Sequence, residues 1–175
     1  HATQINQLRR LRRAPEDTRA LERSVDQLAR LADAYPALPV LRCSLAATHA
    51  DLGHLAEARA TYEPIAATGF NLPYDTQWPL SLALLAETAA ALGDRVRAQR
   101  LYELVLPLDG ITIVVGRAAG CYGPVARVLG TLAATAGRLE AAEQHYREAL
   151  AMSERMGDRP AAARTRLQLA QVLRE

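Results

Sequence analysis

A four-residue signature recurs three times along this 175-residue chain, and no other feature constrains the fold as strongly. Each copy is centred on a glycine, with a leucine eight residues before it, an alanine five residues after it and a tyrosine nine residues after it. The copies are Leu45, Gly53, Ala58 and Tyr62; Leu85, Gly93, Ala98 and Tyr102; and Leu129, Gly137, Ala142 and Tyr146. Because glycine readily adopts the positive φ that ends a helix, each copy predicts a helix, a tight turn and a second helix.

The composition favours helices over sheets. Half of the residues are hydrophobic but only 5% are aromatic, and alanine is the main apolar type, with 35 copies. Alanine has the highest helix propensity, and its small side chain lets helices approach closely. Runs of β-branched residues are nearly absent, which excludes a protein built mainly from sheets.

The repeated positions resemble those that define a tetratricopeptide repeat. In that repeat the small residue lets the second helix cross the first closely, the aromatic ring packs over the next turn, and the leucine fills the space between them. The resemblance implies an all-α chain, a tetratricopeptide-like α-solenoid of about nine helices in antiparallel pairs that wind as a right-handed superhelix. The glycines lie 40 and 44 residues apart, whereas the standard repeat has about 34 residues, so the extra residues fall between repeats.

We expect one repeat domain over residues 1–175. Its parts are a partial N-terminal repeat at 1–36, full repeats at 39–68, 78–106 and 123–156, a long inter-repeat loop at 107–122, and a partial C-terminal repeat or cap at 159–175.

The ends of the chain are predicted to be helical. Helices are expected at 3–13 and 16–35, and the helical spacing predicts that the second of them turns a set of apolar residues inward: Leu21, Val25, Leu28, Leu31 and Tyr35. In the last helix, Leu167, Ala170 and Leu173 are expected to face inward.

Several segments resemble a more specific group of proteins. They are YPALP at 35–39, WPLSLALLAETAAALG at 78–93, YELVLP at 102–107, VVG at 114–116 followed by CYG at 121–123, and ALAMSERMG at 149–157. Together they resemble the C-terminal helical-repeat arm of bacterial, actinobacterial-type, multidomain signalling ATPases, class III nucleotide cyclases and LuxR-type or activator-type transcriptional regulators. The resemblance implies a sensor or scaffold arm that gates an attached output module. No lysine occurs in the chain, so these residues cannot complete a phosphate-binding loop of the GxxxxGK type.

The sequence predicts no catalytic residues, no cofactor and no metal ion. His49 and His54 are five residues apart with Gly53 between them, so they do not share a helical face as a zinc-binding pair would. His145 is expected to be isolated and exposed. Gly116, Gly120 and Gly123 with Arg117 match no nucleotide fingerprint and are interpreted as a turning loop. The apolar run at 111–115 before them is interpreted as an extended segment against the neighbouring helices, with an edge for partner docking as the alternative. An acid, a base and a nucleophile cannot be placed together, which disfavours an enzyme.

The charge and the cysteines bear on partners and location. A net charge of +2 does not indicate nucleic-acid binding, and the short basic cluster at 9–13 is followed by acidic residues. No run of 18 apolar residues occurs, so no membrane span is predicted. Cys43 and Cys121 lie in different repeats and are interpreted as two free thiols of a cytoplasmic protein.

The resemblance to tetratricopeptide repeats implies a binding groove lined by the first helix of each repeat. The groove positions carried over by spacing are Val40, Cys43 and Ala47; Leu80, Ala83 and Glu87; and Arg127 and Thr131. This set is mostly small and apolar, with Glu87 and Arg127 as its polar points, and it lacks the Lys/Arg/Asn group that clamps a C-terminal carboxylate. It therefore predicts a protein or peptide partner, namely an apolar helix or hydrophobic segment, and other domains of a parent chain are candidates.

A second hypothesis is that the domain senses a small molecule enclosed between the superhelix and the 107–122 segment. The two hypotheses differ in what stabilises the chain, because a sensed metabolite would raise its melting temperature.

Overall fold

A computed structural model describes residues 15–115 and 120–175 of the chain. Over these residues it contains eight α-helices, a 3-10 turn at Leu106–Leu108 and a two-stranded hairpin. The helices are α1 (Pro15–Ala34), α2 (Pro39–Leu52), α3 (Leu55–Ala67), α4 (Trp78–Leu92), α5 (Arg95–Val105), α6 (Val125–Thr135), α7 (Leu139–Arg155) and α8 (Arg159–Val172), and the strands are β1 (Thr112–Val115) and β2 (Gly120–Pro124). The predicted helical repeat fold is confirmed. The predicted helix at 3–13, the basic cluster at 9–13, and Gly116 and Arg117 lie outside the described residues.

The signature glycines end the first helix of each pair in the same way. Gly53, Gly93 and Gly137 have φ angles of 79°, 64° and 82°. At the first of these turns, the Gly53 N–H donates to the Ala50 carbonyl at 3.1 Å, and the His54 N–H donates to the His49 carbonyl at 2.9 Å. This pair of bonds satisfies carbonyls that a helix end would otherwise leave free. Gly157 forms a fourth turn of this kind, which was not predicted, between α7 and α8 with φ 69°.

The other signature residues pack between the helices. Ala58, Ala98 and Ala142 have no exposed surface, and the three signature tyrosines are at most 7% exposed. Leu85 and Leu129 are also fully buried, whereas Leu45 is partly buried. Apart from Leu45, the signature leucine, alanine and tyrosine side chains therefore lie in the core.

Gly130 permits a close contact that the sequence analysis missed. A Cβ atom added at this position of α6 would lie 2.6 Å from Cδ1 of Tyr146, closer than real Cβ contacts allow. The ring of Tyr146 therefore rests directly on the backbone of α6, and the third pair owes its tight packing to a glycine as well as to the signature alanine.

The inward faces of the two end helices differ from the predicted ones. Leu167 in α8 and Leu173 just beyond it are 61% and 57% exposed, because the inward face of this helix carries other residues: Ala161, Ala162, Thr165 and Val172. Ala170 is partly buried. In α1, Leu21 and Leu28 are buried as predicted, Val25 and Leu31 are half-buried, and Tyr35 is 56% exposed because it lies just beyond the helix.

The 107–122 segment, which was expected to be a long inter-repeat loop, contains most of a small two-stranded sheet. After the 3-10 turn, β1 pairs antiparallel with β2, with a bulge between Ile113 and Val114. Ile113 is buried at 4% exposure, while Val114 is 56% exposed, so the hairpin has an inner and an outer face. Its strands contact α4, α6 and α7, which anchors the insertion on the helical layers.

Candidate functional site

The first helices α2, α4, α6 and α8 pack against one another in series. We call the surface that they form the first-helix face. The eight predicted groove residues all lie on α2, α4 and α6, yet most of them are buried between helices. Cys43, Ala47 and Ala83 have no exposed surface, and Leu80, Arg127 and Thr131 are 2%, 2% and 7% exposed. Only Val40 and Glu87 are partly exposed. In this conformation the buried members therefore offer a partner little or no surface, and binding by the set stays a prediction.

Three charged side chains converge at one point of the first-helix face. Oε1 of Glu87 on α4 lies 3.2 Å from Nη2 of Arg127 on α6 and 3.6 Å from Nη1 of Arg164 on α8. The Arg127 side chain is 3% exposed, whereas those of Glu87 and Arg164 are 19% and 30% exposed. We call these three residues the charge cluster. The two polar points predicted from sequence thus meet, and a third residue that was not predicted joins them.

The electrostatic environment keeps the buried arginine charged. Burial is the largest single effect and disfavours the charged form of Arg127, but Glu87, Tyr122 and Tyr146 together outweigh it, so the pKa of Arg127 is raised. Its guanidinium also lies over the ring of Tyr122, 5.5 Å from the centroid, a favourable cation–π arrangement. For Arg164 the balance is the opposite, since burial lowers its pKa and the nearby Arg127 adds to this effect, although Glu87 and Asp51 oppose it.

A hydrogen-bonded network supports the cluster from α6. The hydroxyl of Thr131 donates to the Arg127 carbonyl at 3.0 Å and accepts from Tyr146 Oη at 3.2 Å and from Gln168 Nε2 at 3.1 Å. One donated and two accepted bonds use the full capacity of a hydroxyl group. Thr131 therefore links α6, α7 and α8, and it holds their spacing rather than offering a free group to a partner.

Arg164 and Gln168 were not predicted from the sequence, because the predicted inward face of α8 was the wrong one. The signal was present, since Ala161, Thr165 and Val172 recur at helical spacing and place residues 164 and 168 beside that face. A narrow depression beside the cluster is lined by Tyr122, Arg127, Pro160, Ala161 and Arg164.

The histidines are arranged differently from the expectation. His145 is buried, with 8% exposure, and its Nε2 lies 2.9 Å from Oη of Tyr102, because α7 packs this ring against α5. The rings of His49 and His54 come within 5.9 Å because the turn at Gly53 folds back. Burial, followed by the charge of His54, lowers the pKa of His49.

Both cysteines are free thiols, as predicted, and their surroundings differ. Cys43 has no exposed surface, and burial raises its pKa to about 12, partly offset by a hydrogen bond with Ser81. Raising the pKa from 9.0 lowers the thiolate fraction at pH 8 by about a thousandfold. Cys121 is partly exposed.

We expect Ellman's reagent to modify one thiol per folded chain quickly at pH 8 and the second only when the chain unfolds. The fast thiol is Cys121, because only this side chain reaches solvent. A C121S variant should have no fast thiol, whereas a C43S variant should keep it. Two fast thiols in the folded wild-type chain would show that α2 opens readily.

Across residues 15–115 and 120–175, no helix has both the length and the apolar character needed to span a membrane.

A family model of the tetratricopeptide repeat matches the chain at residues 39–64, 79–103 and 123–148. Each match covers one helix pair, namely α2 with α3, α4 with α5, and α6 with α7. Neither a curated protein nor a solved structure matches the chain significantly. Repeats of this type generally mediate binding between proteins, and the fold is typically non-catalytic. The chain therefore contains tetratricopeptide repeats at three places, each formed by a helix pair that closes on a glycine turn.

Proposed function

We propose that this chain is a non-catalytic binding module that holds a segment of a partner protein along the first-helix face. The charge cluster is the observation that carries the proposal. Glu87, Arg127 and Arg164 come from three successive first helices, and two of them keep part of their side chains in solvent. Stacked repeats offer an extended surface of this kind to polypeptide partners.

The chemistry of the face indicates a polar partner segment. The small groove residues are buried between helices, so they provide close packing and little contact area. The accessible groups are the Glu87 carboxylate, which accepts hydrogen bonds, and the Arg164 guanidinium, which donates them. Because Glu87 pairs with both Arg127 and Arg164, these groups are held in place before binding, and less conformational freedom is lost when a partner binds. We therefore infer a segment with polar or charged side chains rather than the apolar one expected from sequence.

Peptide selection with two matched variants tests this proposal. Random peptides displayed on phage are selected on the immobilised 175-residue chain, and their affinities are measured by fluorescence polarisation. Arg164→Gln removes a charge from the first-helix face. Arg166→Gln removes the same charge from the opposite side of α8, because two helical positions are about 200° apart. Arg166 forms an ion pair with Glu154, and both side chains are exposed.

We expect Arg164→Gln to weaken binding of the selected peptides at least tenfold and Arg166→Gln to change it less than twofold. Equal affinities for the two variants, or a selection that yields no binding peptide, would contradict the proposal. Circular dichroism of both variants checks that their helical content is unchanged, so that a loss of affinity reports the surface rather than the fold.

We also infer that the module serves as a regulatory arm of a larger bacterial signalling or transcription-regulatory protein. The resemblance of segments 78–93 and 149–157 supports this role, and the partner would then be a domain of the same polypeptide. The coding region around this segment tests the inference. A nucleotide-binding, cyclase or DNA-binding domain encoded in the same reading frame would support it, and a reading frame that encodes repeats alone would contradict it.

A further inference from the structure

We propose that Asp109, His145 and Glu148 bind a divalent transition-metal ion. His145 and Glu148 lie one turn apart on α7, and Asp109 follows the 3-10 turn that leaves α5. One potential ligand atom from each residue lies within 4.8 Å of the other two. The three residues form the metal triad, which is separate from the charge cluster.

The imidazole of His145 is the most informative member of the metal triad. The residue is 92% buried, since only 8% of its surface is exposed, and its Nδ1 has no hydrogen-bond partner. On the other side of the ring, Nε2 lies 2.9 Å from Oη of Tyr102. When Nε2 carries the proton and donates it to Tyr102, Nδ1 presents a lone pair towards the two carboxylates. Histidine ligands of metals are commonly oriented by such a bond through the second ring nitrogen.

The spacing between the His145 and Glu148 ligand atoms suits a shared metal ion better than a direct hydrogen bond between them. Nδ1 of His145 lies 3.6 Å from Oε2 of Glu148, which is beyond hydrogen-bond distance. Two ligand atoms on one tetrahedral zinc ion are about 3.4 Å apart, given bonds of about 2.0–2.1 Å. A shift of a few tenths of an ångström therefore brings both atoms onto one ion, and the exposed Asp109 side chain can follow.

Each carboxylate keeps one oxygen available. Glu148 Oε1 accepts a hydrogen bond from Gln144 Nε2 at 3.1 Å, and Asp109 Oδ1 accepts from the Gly110 N–H at 2.8 Å. In the part of the chain that the structure describes, no arginine forms an ion pair with either group. The two carboxylates together carry two negative charges, which a divalent cation balances.

The ligand set defines the class of ion. One imidazole nitrogen with two carboxylate oxygens favours zinc, cobalt, nickel or manganese over magnesium and calcium, which prefer oxygen ligands alone. Three protein ligands leave a position for water. The ion would join Asp109, at the start of the inserted segment, to α7 of the next repeat, and would hold the hairpin against the helices.

Isothermal titration calorimetry of the 175-residue chain with zinc chloride, after treatment with a chelator, tests this proposal. We expect one zinc ion per chain. Asp109→Asn, Glu148→Gln and His145→Gln should each weaken binding at least tenfold, and the glutamine at 145 keeps a polar partner for Tyr102. Asp109 is exposed, so its variant is expected to fold normally.

A matched control is Glu143→Gln, which removes a carboxylate from the same helix. Glu143 pairs with Arg147 at 2.6 Å and lies outside the metal triad. We expect its zinc affinity to match that of the wild type. A cobalt-substituted chain should show d–d absorption bands that disappear in Asp109→Asn. Zinc binding that persists unchanged in His145→Gln would belong to other histidines and would overturn the proposal, as would the absence of any binding to the wild-type chain.

Discussion

Replacing Glu87 with leucine is expected to lower the free energy of unfolding by about 3–5 kcal/mol. The substitution leaves the guanidinium of Arg127, which is only 2% exposed, without the carboxylate that balances its charge. Arg164 loses the same partner and is left beside a like charge. Urea denaturation, monitored by circular dichroism, measures this change as a shift in the midpoint of the unfolding transition while the slope m stays constant.

Two further variants test whether the lost stability comes from the unpaired charge that Glu87→Leu leaves buried. Replacing both partners, as Glu87→Leu with Arg127→Met, removes the unpaired buried charge, so we expect most of the lost stability to return. Replacing Glu154, whose ion pair with Arg166 is exposed, with leucine should cost less than about 1 kcal/mol. A cost for Glu87→Leu no larger than that for Glu154→Leu would show that the buried pair contributes little.

Replacing Tyr146 with alanine is expected to cost about 3–5 kcal/mol, because it leaves a cavity where the ring packs on α6. The residue is 2% exposed, and its hydroxyl donates to Thr131. Tyr146→Phe keeps the ring and removes only this hydrogen bond, so its cost should be about 1 kcal/mol. Tyr74, which is 83% exposed, provides the control, since Tyr74→Ala should leave the urea midpoint nearly unchanged.

Gly130→Ala tests the same contact from the opposite side. In the wild-type chain the added Cβ would meet the ring at 2.6 Å, so we expect a loss of about 1–3 kcal/mol from overpacking. In the Tyr146→Ala background the clash is gone, and the higher helix propensity of alanine should make the same substitution neutral or stabilising by up to about 1 kcal/mol. Equal effects of Gly130→Ala in the two backgrounds would show that the two residues are not coupled.

The helix pairs could be predicted because their determinants act locally. A positive φ at Gly53 ends one helix, and Ala58 and Tyr62 follow at offsets that helical geometry converts into one face of the next helix. The 107–122 segment was harder to predict. The apolar run at 111–115 indicated an extended segment, but its pairing with residues 120–124 depends on contacts with α4, α6 and α7 that a short run does not reveal.

The functional residues could be predicted only in part, because they depend on stacking between repeats. Glu87 and Arg127 were singled out by their positions on first helices, but nothing in the sequence indicated that a residue 77 positions beyond Glu87 would share its carboxylate. The metal triad was not predicted from the sequence for a related reason. His145 and Glu148 are close on any helix, whereas Asp109 joins them only after the chain between α5 and α7 has folded back.

Local sequence is enough to specify helix pairs closed by glycine turns, with alanine and tyrosine between the helices, because these features depend on the backbone preferences and spacing of residues that are neighbours along the chain. The accessible groove residues, the inward face of α8 and the charges that pair with one another are set by the stacking of the repeats. Those outcomes depend on how far one helix pair shifts against the next, and that shift follows from packing among residues distant in sequence, such as the ring of Tyr146 on the backbone of Gly130.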